Sequence, residues 1–141
     1  MSDCCCSNTS NTKQLCPECD TTCNSVNMPT LYHQVRFPEN LALITDSYYF
    51  CPVKSCSVAY FTNMGNTVPK QHLRSYQDIQ SGALCYCFDI DTNQYLSALK
   101  ANHAKPIKDF VMQRTKIGEC ACEIRNPSGQ CCLANFNRLE K

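Results

Sequence analysis

The 141-residue sequence lacks the features that mark several large classes of protein. No stretch comes close to the roughly 20 apolar residues of a membrane-spanning helix, so we expect no membrane segment. Residues 1–9 contain neither a basic region nor an apolar run, so nothing there resembles a secretory signal. The chain has only four glycines, and they form no glycine-rich loop that could cradle phosphate groups.

Charge and histidine content also argue against several functions. The 13 basic and 12 acidic residues are mixed along the chain, and basic residues form no run longer than two. If eight cysteines bound metals as thiolates the protein would become mildly acidic, so we expect no nucleic-acid partner. His33, His72 and His103 share no ligand spacing. Since no general acid or base lies beside an open metal position, we predict that the protein is not an enzyme.

Cysteine is the abundant residue, with 14 in the chain. Such a content indicates either a disulfide scaffold or a metalloprotein. Because no secretory signal is visible, we expect a reducing cytoplasm, where thiols remain available for metals.

Two cysteine pairs in the first half have the spacing of zinc knuckles: Cys16 with Cys19, and Cys51 with Cys56. Runs rich in tyrosine, phenylalanine and valine predict short strands around them: Leu31–Phe37, Ser47–Phe50 and Ser57–Thr62. Pairs of thiols on turns beside antiparallel strands are typical of a zinc ribbon. Four thiolates leave no open position for water, so we expect this zinc to be structural. Cys23 could compete as a ligand and is interpreted as a spare thiol.

The last third of the chain contains a second set of cysteines: Cys85, Cys87, Cys120, Cys122, Cys131 and Cys132. In extended backbone the two thiols of Cys85 and Cys87 would point to the same side. Four thiolates drawn from separated clusters are the ligands that an iron–sulfur cluster requires.

The pattern predicts an α+β chain in two modules. Residues 1–13 form a polar, disordered tail that carries Cys4, Cys5 and Cys6, and residues 14–76 form the zinc-ribbon-like β domain. A linker over 77–83 leads to a helical, cluster-binding domain over 84–141. Three helices are expected in this domain. The first begins at the capping pair Asp91 and Gln94, and the second runs from Pro106 to Gly118. The third starts near Cys132 and buries Leu133, Phe136 and Leu139.

Three segments carry a resemblance to a known family: Tyr49–Phe61, with Cys51-Pro-Val-Lys-Ser-Cys56; Cys85-Tyr86-Cys87; and Asn126-Pro-Ser-Gly-Gln-Cys131-Cys132. They closely resemble the N-terminal domain of CopZ-type copper chaperones over roughly residues 14 to 140. The second half is also similar to the bacterioferritin-associated ferredoxin type, a small helical [2Fe–2S] module.

The resemblance implies ligands residue by residue. It implies zinc at Cys16, Cys19, Cys51 and Cys56. It implies a [2Fe–2S] cluster at Cys85, Cys87, Cys122 and Cys132. Cys122 is preferred to Cys120 because the family pattern has a cysteine four residues before the Asn-Pro-Ser-Gly turn, and Cys120 and Cys131 remain alternates.

The resemblance also implies a function in handling copper or another soft metal, with the cluster passing one electron to reduce Cu(II) to Cu(I). It suggests a copper-transporting ATPase or a separate copper-binding protein as partner. In the chaperones a further ferredoxin-like domain carries a CxxC copper site, and that domain's copper delivery is not carried over here. Cys4, Cys5 and Cys6 are a hypothetical Cu(I) site in its place. The alternative function is a metal-stapled scaffold, or a small electron-transfer ferredoxin without metal cargo.

Overall fold

The computed structural model of the protein describes residues 13–140. The predicted tail with Cys4, Cys5 and Cys6 lies outside these residues, except for Lys13. The strands of the described chain are β1 Lys13–Leu15, β2 Thr22–Val26, β3 Tyr48–Phe50, β4 Val58–Thr62, β5 Thr67–Pro69, β6 Ala83–Cys85 and β7 Ile90–Asp91. Its α-helices are α1 Met28–Gln34, α2 Tyr76–Ser81, α3 Thr92–Lys100, α4 Ala104–Lys116, α5 Cys122–Arg125 and α6 Leu133–Leu139. Short 3-10 helices span Glu39–Ala42 and Lys70–His72.

The first half is organised by an antiparallel sheet of five strands in the order β1-β2-β3-β4-β5. The predicted strands at Ser47–Phe50 and Ser57–Thr62 are confirmed as β3 and β4. Tyr49 pairs with Phe61 across these strands, and the two rings stack with centroids 5.6 Å apart. Aromatic cross-strand pairs stabilise a sheet by about 0.2–1 kcal/mol each, which explains why this part of the aromatic pattern folds as strands.

The strand predicted over Leu31–Phe37 is wrong, because most of this segment belongs to helix α1. Pro29 lies in the first turn of α1, where its fixed backbone angle favours a helix and its missing N–H has no consequence. The buried side chains of the helix are Thr30, Leu31 and Gln34. Their spacing of one and three residues places them on one helical face, a period that the aromatic content of the segment obscured.

The second half combines the two-stranded sheet β6-β7 with helices α3 to α6. The predicted cap at Asp91 is confirmed: the Gln94 N–H donates to the Asp91 carboxylate at 2.7 Å, and the Asp91 N–H donates to the Gln94 side-chain oxygen at 2.9 Å. Helix α6 also follows Cys132 and buries Phe136 as predicted, whereas Leu133 and Leu139 are only partly buried. Helix α4 begins two residues before Pro106, because a first-turn proline lacks only an N–H that would have no helical partner.

Two further expectations are changed by local structure. Cys85 ends β6, but Cys87 lies in the turn before β7, so the two residues do not share an extended strand. The stretch 77–83, predicted as a linker, contains most of α2 and the start of β6. Its single buried helical residue is Ile79, and the polar side chains that suggested a linker belong to the rest of α2.

Most cysteines of both sets lie within apolar packing, whereas Cys19 is exposed. The first set joins one cluster of buried side chains: Cys16, Cys23, Tyr49, Cys51, Cys56, Val58 and Phe61. The second set joins another: Leu84, Cys85, Tyr95, Ala104, Val111, Cys122, Cys132 and Phe136. Across residues 13–140, no helix has both the length and the apolar character needed to cross a membrane.

Candidate metal centres

The first cysteine set converges because of the strand order. Cys16 follows β1, Cys51 follows β3 and Cys56 precedes β4. In this antiparallel sheet β1 and β3 run in the same direction and β4 runs in the opposite one. The C-terminal ends of β1 and β3 and the N-terminal end of β4 therefore lie at the same end of the sheet. A tight turn then returns Cys19 to the same place, closed by a hydrogen bond of 2.9 Å from the Asp20 N–H to the Cys16 carbonyl.

The spacing of the four sulfur atoms suits a single metal ion. The Sγ atoms of Cys16, Cys19, Cys51 and Cys56 all lie within 4.8 Å of one another. The Cys16–Cys56 and Cys19–Cys51 sulfur pairs are 3.8 Å and 3.6 Å apart. Four sulfurs held tetrahedrally at about 2.3 Å from a zinc ion are separated by about 3.8 Å. This cysteine cluster is therefore capable of holding a metal ion.

The thiols of Cys19, Cys51 and Cys56 differ in their acidity. A side-chain hydrogen bond with Thr21, 3.3 Å long, lowers the pKa of Cys19 to about 6, and this residue lies at the surface. Burial raises the pKa of the Cys51 and Cys56 thiols above the ordinary value. The Glu18 N–H also donates to the Cys16 sulfur at 3.4 Å. Metal binding therefore has to displace protons from the buried thiols.

Cys23 lies beside this tetrad and is not part of it. It is fully buried, and its thiol donates to the Thr21 carbonyl at 3.2 Å. Burial is the main reason that its pKa is raised. Within residues 13–140, the compact group of three or more potential ligands consists of the four cysteines above and includes neither Cys23 nor a histidine.

The structure also brings together the second predicted set. Cys85 ends β6, Cys87 lies in the following turn, Cys122 begins α5 and Cys132 precedes α6. The Cys87 and Cys122 sulfurs are 3.5 Å apart, and the Cys132 thiol interacts with those of Cys122 and Cys85. The Ala121 N–H donates to the Cys87 sulfur at 3.1 Å.

Interactions among these thiols lower the pKa of some and raise the pKa of others. Hydrogen bonds from Cys122 and Cys85 lower the pKa of Cys132 to about 4, and the Cys122 hydrogen bond lowers that of Cys87 to about 7. The pKa of Cys85 is raised by its hydrogen bond with Cys132 and by burial. Two of the four positions thus favour a thiolate, which is the form that binds metals.

The alternates Cys120 and Cys131 also lie close to this set. Cys120 packs against its apolar cluster, and a hydrogen bond with Cys131 is the largest cause that raises the pKa of Cys122. Both alternates are half-buried, whereas Cys122 and Cys132 are buried. The geometry thus places all six thiols in one region.

Helix α1 of the first half holds the segment that follows Cys122. The Thr30 hydroxyl donates to the Glu123 carbonyl at 2.5 Å. The Gln34 side-chain amide donates to the carbonyls of Ile124 and Arg125 at 2.8 Å and 2.9 Å. These bonds satisfy carbonyls at the end of the short helix α5, which have no intrahelical partner.

Strand β4 supplies a further contact to the same segment. The fully buried Tyr60 hydroxyl donates to the Pro127 carbonyl at 2.5 Å. Two residues on, Gly129 has φ +70°, and a Cβ at this position would lie 2.9 Å from the Thr30 Oγ1. Sequence reasoning did not predict these contacts, because Tyr60 belongs to a run, Ser57–Thr62, whose aromatic content indicated only a strand. The sequence offered only an indirect indication of these contacts: the polar groups of Thr30, Gln34 and Tyr60 lie among apolar residues.

Comparisons with known proteins agree with this arrangement. A family model described as "Zinc binding domain", zf_CopZ, matches residues 13–74. Over 130 residues the chain is 31% identical to a protein named "Copper chaperone CopZ" from Archaeoglobus fulgidus, an alignment that covers 88% of this chain and 60% of that relative. The X-ray structure of the Archaeoglobus fulgidus CopZ N-terminal domain is similar with a TM-score of 0.69 and 27% identity, covering 90% of this chain and 98% of that domain. The chain thus spans 60% of the length of the curated relative that it matches.

Proposed function

This chain belongs to the family of CopZ-type N-terminal domains, and from that premise we propose that it handles copper by means of two metal centres. One is a structural zinc ion and the other is a redox-active [2Fe–2S] cluster. The observation that carries this proposal is the presence of two separate cysteine sets in one fold, the first with the sulfur spacing of a tetrahedral site.

We assign the zinc ion to Cys16, Cys19, Cys51 and Cys56. The donor set is entirely thiol, which suits zinc in structural sites. Four thiolates would fill the tetrahedral coordination of zinc, so no position would remain for water or substrate. In this role zinc stabilises a sheet whose outer strands β1 and β5 have only three residues each.

We assign the [2Fe–2S] cluster to Cys85, Cys87, Cys122 and Cys132. Their thiols interact in sequence, from Cys87, whose sulfur lies 3.5 Å from that of Cys122, through Cys132 to Cys85. An extended set of four thiols suits two bridged irons better than a single ion. Packing in an apolar cluster limits access of water, and the N–H···S bond to Cys87 is of the kind that tunes a cluster's potential.

The choice among six cysteines can be tested by single Cys-to-Ser replacement. We expect Cys122→Ser to abolish the visible absorption of the cluster in anaerobically purified protein and Cys120→Ser to retain it. The opposite result would exchange the two assignments. In the same way, we expect Cys132→Ser to abolish this absorption and Cys131→Ser to retain it.

When bound, the cluster supplies a one-electron couple through which Cu(II) would be reduced to Cu(I). Cu(I) is a soft ion that prefers thiolates, and Cys4, Cys5 and Cys6 are candidate ligands for it. Cys87 is the half-exposed member of the cluster set, so we infer that electrons enter and leave beside it. This chemistry requires reduced thiols, so the proposed compartment is the cytoplasm. A copper-transporting ATPase or a separate copper-binding protein is the proposed recipient.

The test is to add Cu(II) anaerobically to the reduced protein. We expect the absorption of the oxidised cluster to return and a Cu(I)-specific chelator to report one Cu(I) for each electron lost. Zn(II), which has no redox chemistry, is the matched control and should leave the cluster reduced. A cluster that remains reduced in the presence of Cu(II), or purified protein that contains no iron, would contradict the proposal.

A second candidate is a metal-stapled scaffold, or a ferredoxin without metal cargo. The hydrogen bonds from Thr30, Gln34 and Tyr60 to the segment after Cys122 favour a scaffold role, because they join the first half of the chain to the second. A cluster that cannot be reduced at accessible potentials would support the scaffold. A cluster that cycles normally but does not respond to Cu(II) would support the ferredoxin.

A further inference from the structure

A buried lysine lies beside the first cysteine set. Lys70 is only 2% exposed, at the start of the 3-10 helix that follows β5. Its ammonium donates to the Cys56 carbonyl at 2.9 Å and to the Val58 carbonyl at 2.6 Å. The Phe50 ring lies under the same nitrogen, with its centroid 5.9 Å away. An ammonium has three N–H donors, so two carbonyls and an aromatic face account for its surroundings.

These neighbours stabilise the ammonium but do not neutralise it. The ion pairs found among residues 13–140 join Lys105 with Asp109, Lys108 with Glu140 and Arg114 with Glu119, and none involves Lys70. Burying a charge without an opposite charge is costly, and buried charges in proteins are therefore usually paired. The surroundings of Lys70 thus call for a nearby negative charge other than a carboxylate.

The cysteine tetrad is where such a charge would arise. One of the two carbonyls that Lys70 binds belongs to Cys56, a proposed zinc ligand. Burial raises the pKa of Cys51, and the positive charge of Lys70 acts in the opposite direction. A divalent ion bound by four thiolates carries a net charge of about 2−, so the loaded centre is an anion within an apolar cluster.

We propose that Lys70 is the built-in counter-charge of this metal centre: a positioning residue that offsets the negative charge of a tetrathiolate holding a divalent ion. The inference rests on the proposed zinc site. Lys70 acts on the metal through the field of its ammonium and through its hold on the backbone of Cys56, and it is not a ligand.

The effect of removing this charge is a loss of metal affinity. Replacement of residues that contact metal ligands without binding the metal themselves typically weakens metal binding by about 10- to 100-fold. We expect the zinc dissociation constant of Lys70→Met, measured at one fixed pH by competition with a chromophoric chelator, to rise by about that factor. The methionine side chain keeps the length and apolar contacts of the lysine stem.

Three other variants separate charge from packing. Lys70→Gln keeps a hydrogen-bond donor without the charge, and it replaces Lys70→Met if that variant does not fold. Lys70→Arg keeps the charge and should retain most of the affinity. Lys54→Met is the matched control, because Lys54 is an exposed lysine in the loop between Cys51 and Cys56, where solvent screens its charge.

A second measurement reports charge directly. With iron in place of zinc, the tetrathiolate has one more unit of negative charge as Fe(II) than as Fe(III). Removing a neighbouring positive charge disfavours the Fe(II) form, so Lys70→Met and Lys70→Gln should lower the one-electron potential measured by voltammetry. Lys70→Arg and Lys54→Met should leave it close to that of the wild type.

The outcomes distinguish this inference from the proposed zinc site. Wild-type protein that shows no tetrathiolate spectrum with Co(II) would overturn both. Normal Co(II) uptake with equal zinc affinity and iron potential in wild type and in folded Lys70→Met or Lys70→Gln would overturn only the role of Lys70. An equal loss of affinity in Lys54→Met would also overturn it, because a general charge effect would then suffice.

Discussion

Replacing Tyr60 by phenylalanine tests whether the first half of the chain holds the cysteine-bearing segment of the second. Tyr60 is fully buried, and its hydroxyl donates to the buried Pro127 carbonyl at 2.5 Å. Phenylalanine keeps the ring and removes only this donor, so the carbonyl loses a partner that water cannot replace. An unsatisfied buried polar group costs about 1–3 kcal/mol. We therefore expect Tyr60→Phe to lower the free energy of unfolding by about that amount.

The assay is denaturant unfolding of the metal-loaded protein, followed by circular dichroism and by visible absorption of the cluster. Tyr32→Phe is the control, since Tyr32 is 46% exposed on helix α1. Surface changes of this kind usually alter stability by less than about 0.5 kcal/mol. We also expect Tyr60→Phe to lose its cluster absorption faster in the presence of an iron chelator. Equal stability and equal cluster lifetime in the two variants would refute the reasoning.

Three further predictions concern zinc, glycine and pH. Removing zinc should unfold the sheet of residues 13–74, because structural zinc supplies about 10–16 kcal/mol of apparent folding free energy in small domains; an unchanged far-UV circular dichroism spectrum after complete zinc loss would contradict this. Gly129→Ala should destabilise the protein more than Gly65→Ala in thermal melts, because both glycines have positive φ but only the first would bring a Cβ within 2.9 Å of Thr30; equal melting temperatures would exclude that contact. Burial raises the pKa of Tyr95 from 10.0 to about 12, so the folded state keeps this phenol neutral where the unfolded chain ionises it. Its contribution to stability should be complete below pH 10 and lost as the pH rises toward about 12; a wild-type curve parallel to that of Tyr95→Phe over this range would disprove it.

Local sequence signals predicted local structure well. The capping pair Asp91 and Gln94 begins α3, and the aromatic runs around Tyr49 and Phe61 form paired strands. Such signals work because the atoms involved are a few residues apart or belong to one repeating face. Helix α1 was not predicted, because two local signals disagree there. Its aromatic and branched residues resemble a strand, whereas Pro29 favours the start of a helix.

The metal centres were partly accessible to sequence reasoning. Spacing alone indicated two cysteine sets, and resemblance to the family selected four ligands for each. The structure brings Cys16, Cys19, Cys51 and Cys56 within 4.8 Å and leaves Cys23 outside this group. Spacing could not make that distinction, because Cys23 is only four residues from Cys19.

By itself the sequence determined the chemistry available to this protein: many thiols, few glycines, balanced charge, and short segments with clear helical or strand periods. Only the tertiary structure decided which groups meet. Lys70 lies 14 residues from Cys56, and Tyr60 lies 67 residues from Pro127, yet each pair is joined by a hydrogen bond. The physical reason is that a hydrogen bond or a metal site depends on distances of a few ångströms, and strand order and helix packing set those distances for residues far apart along the chain.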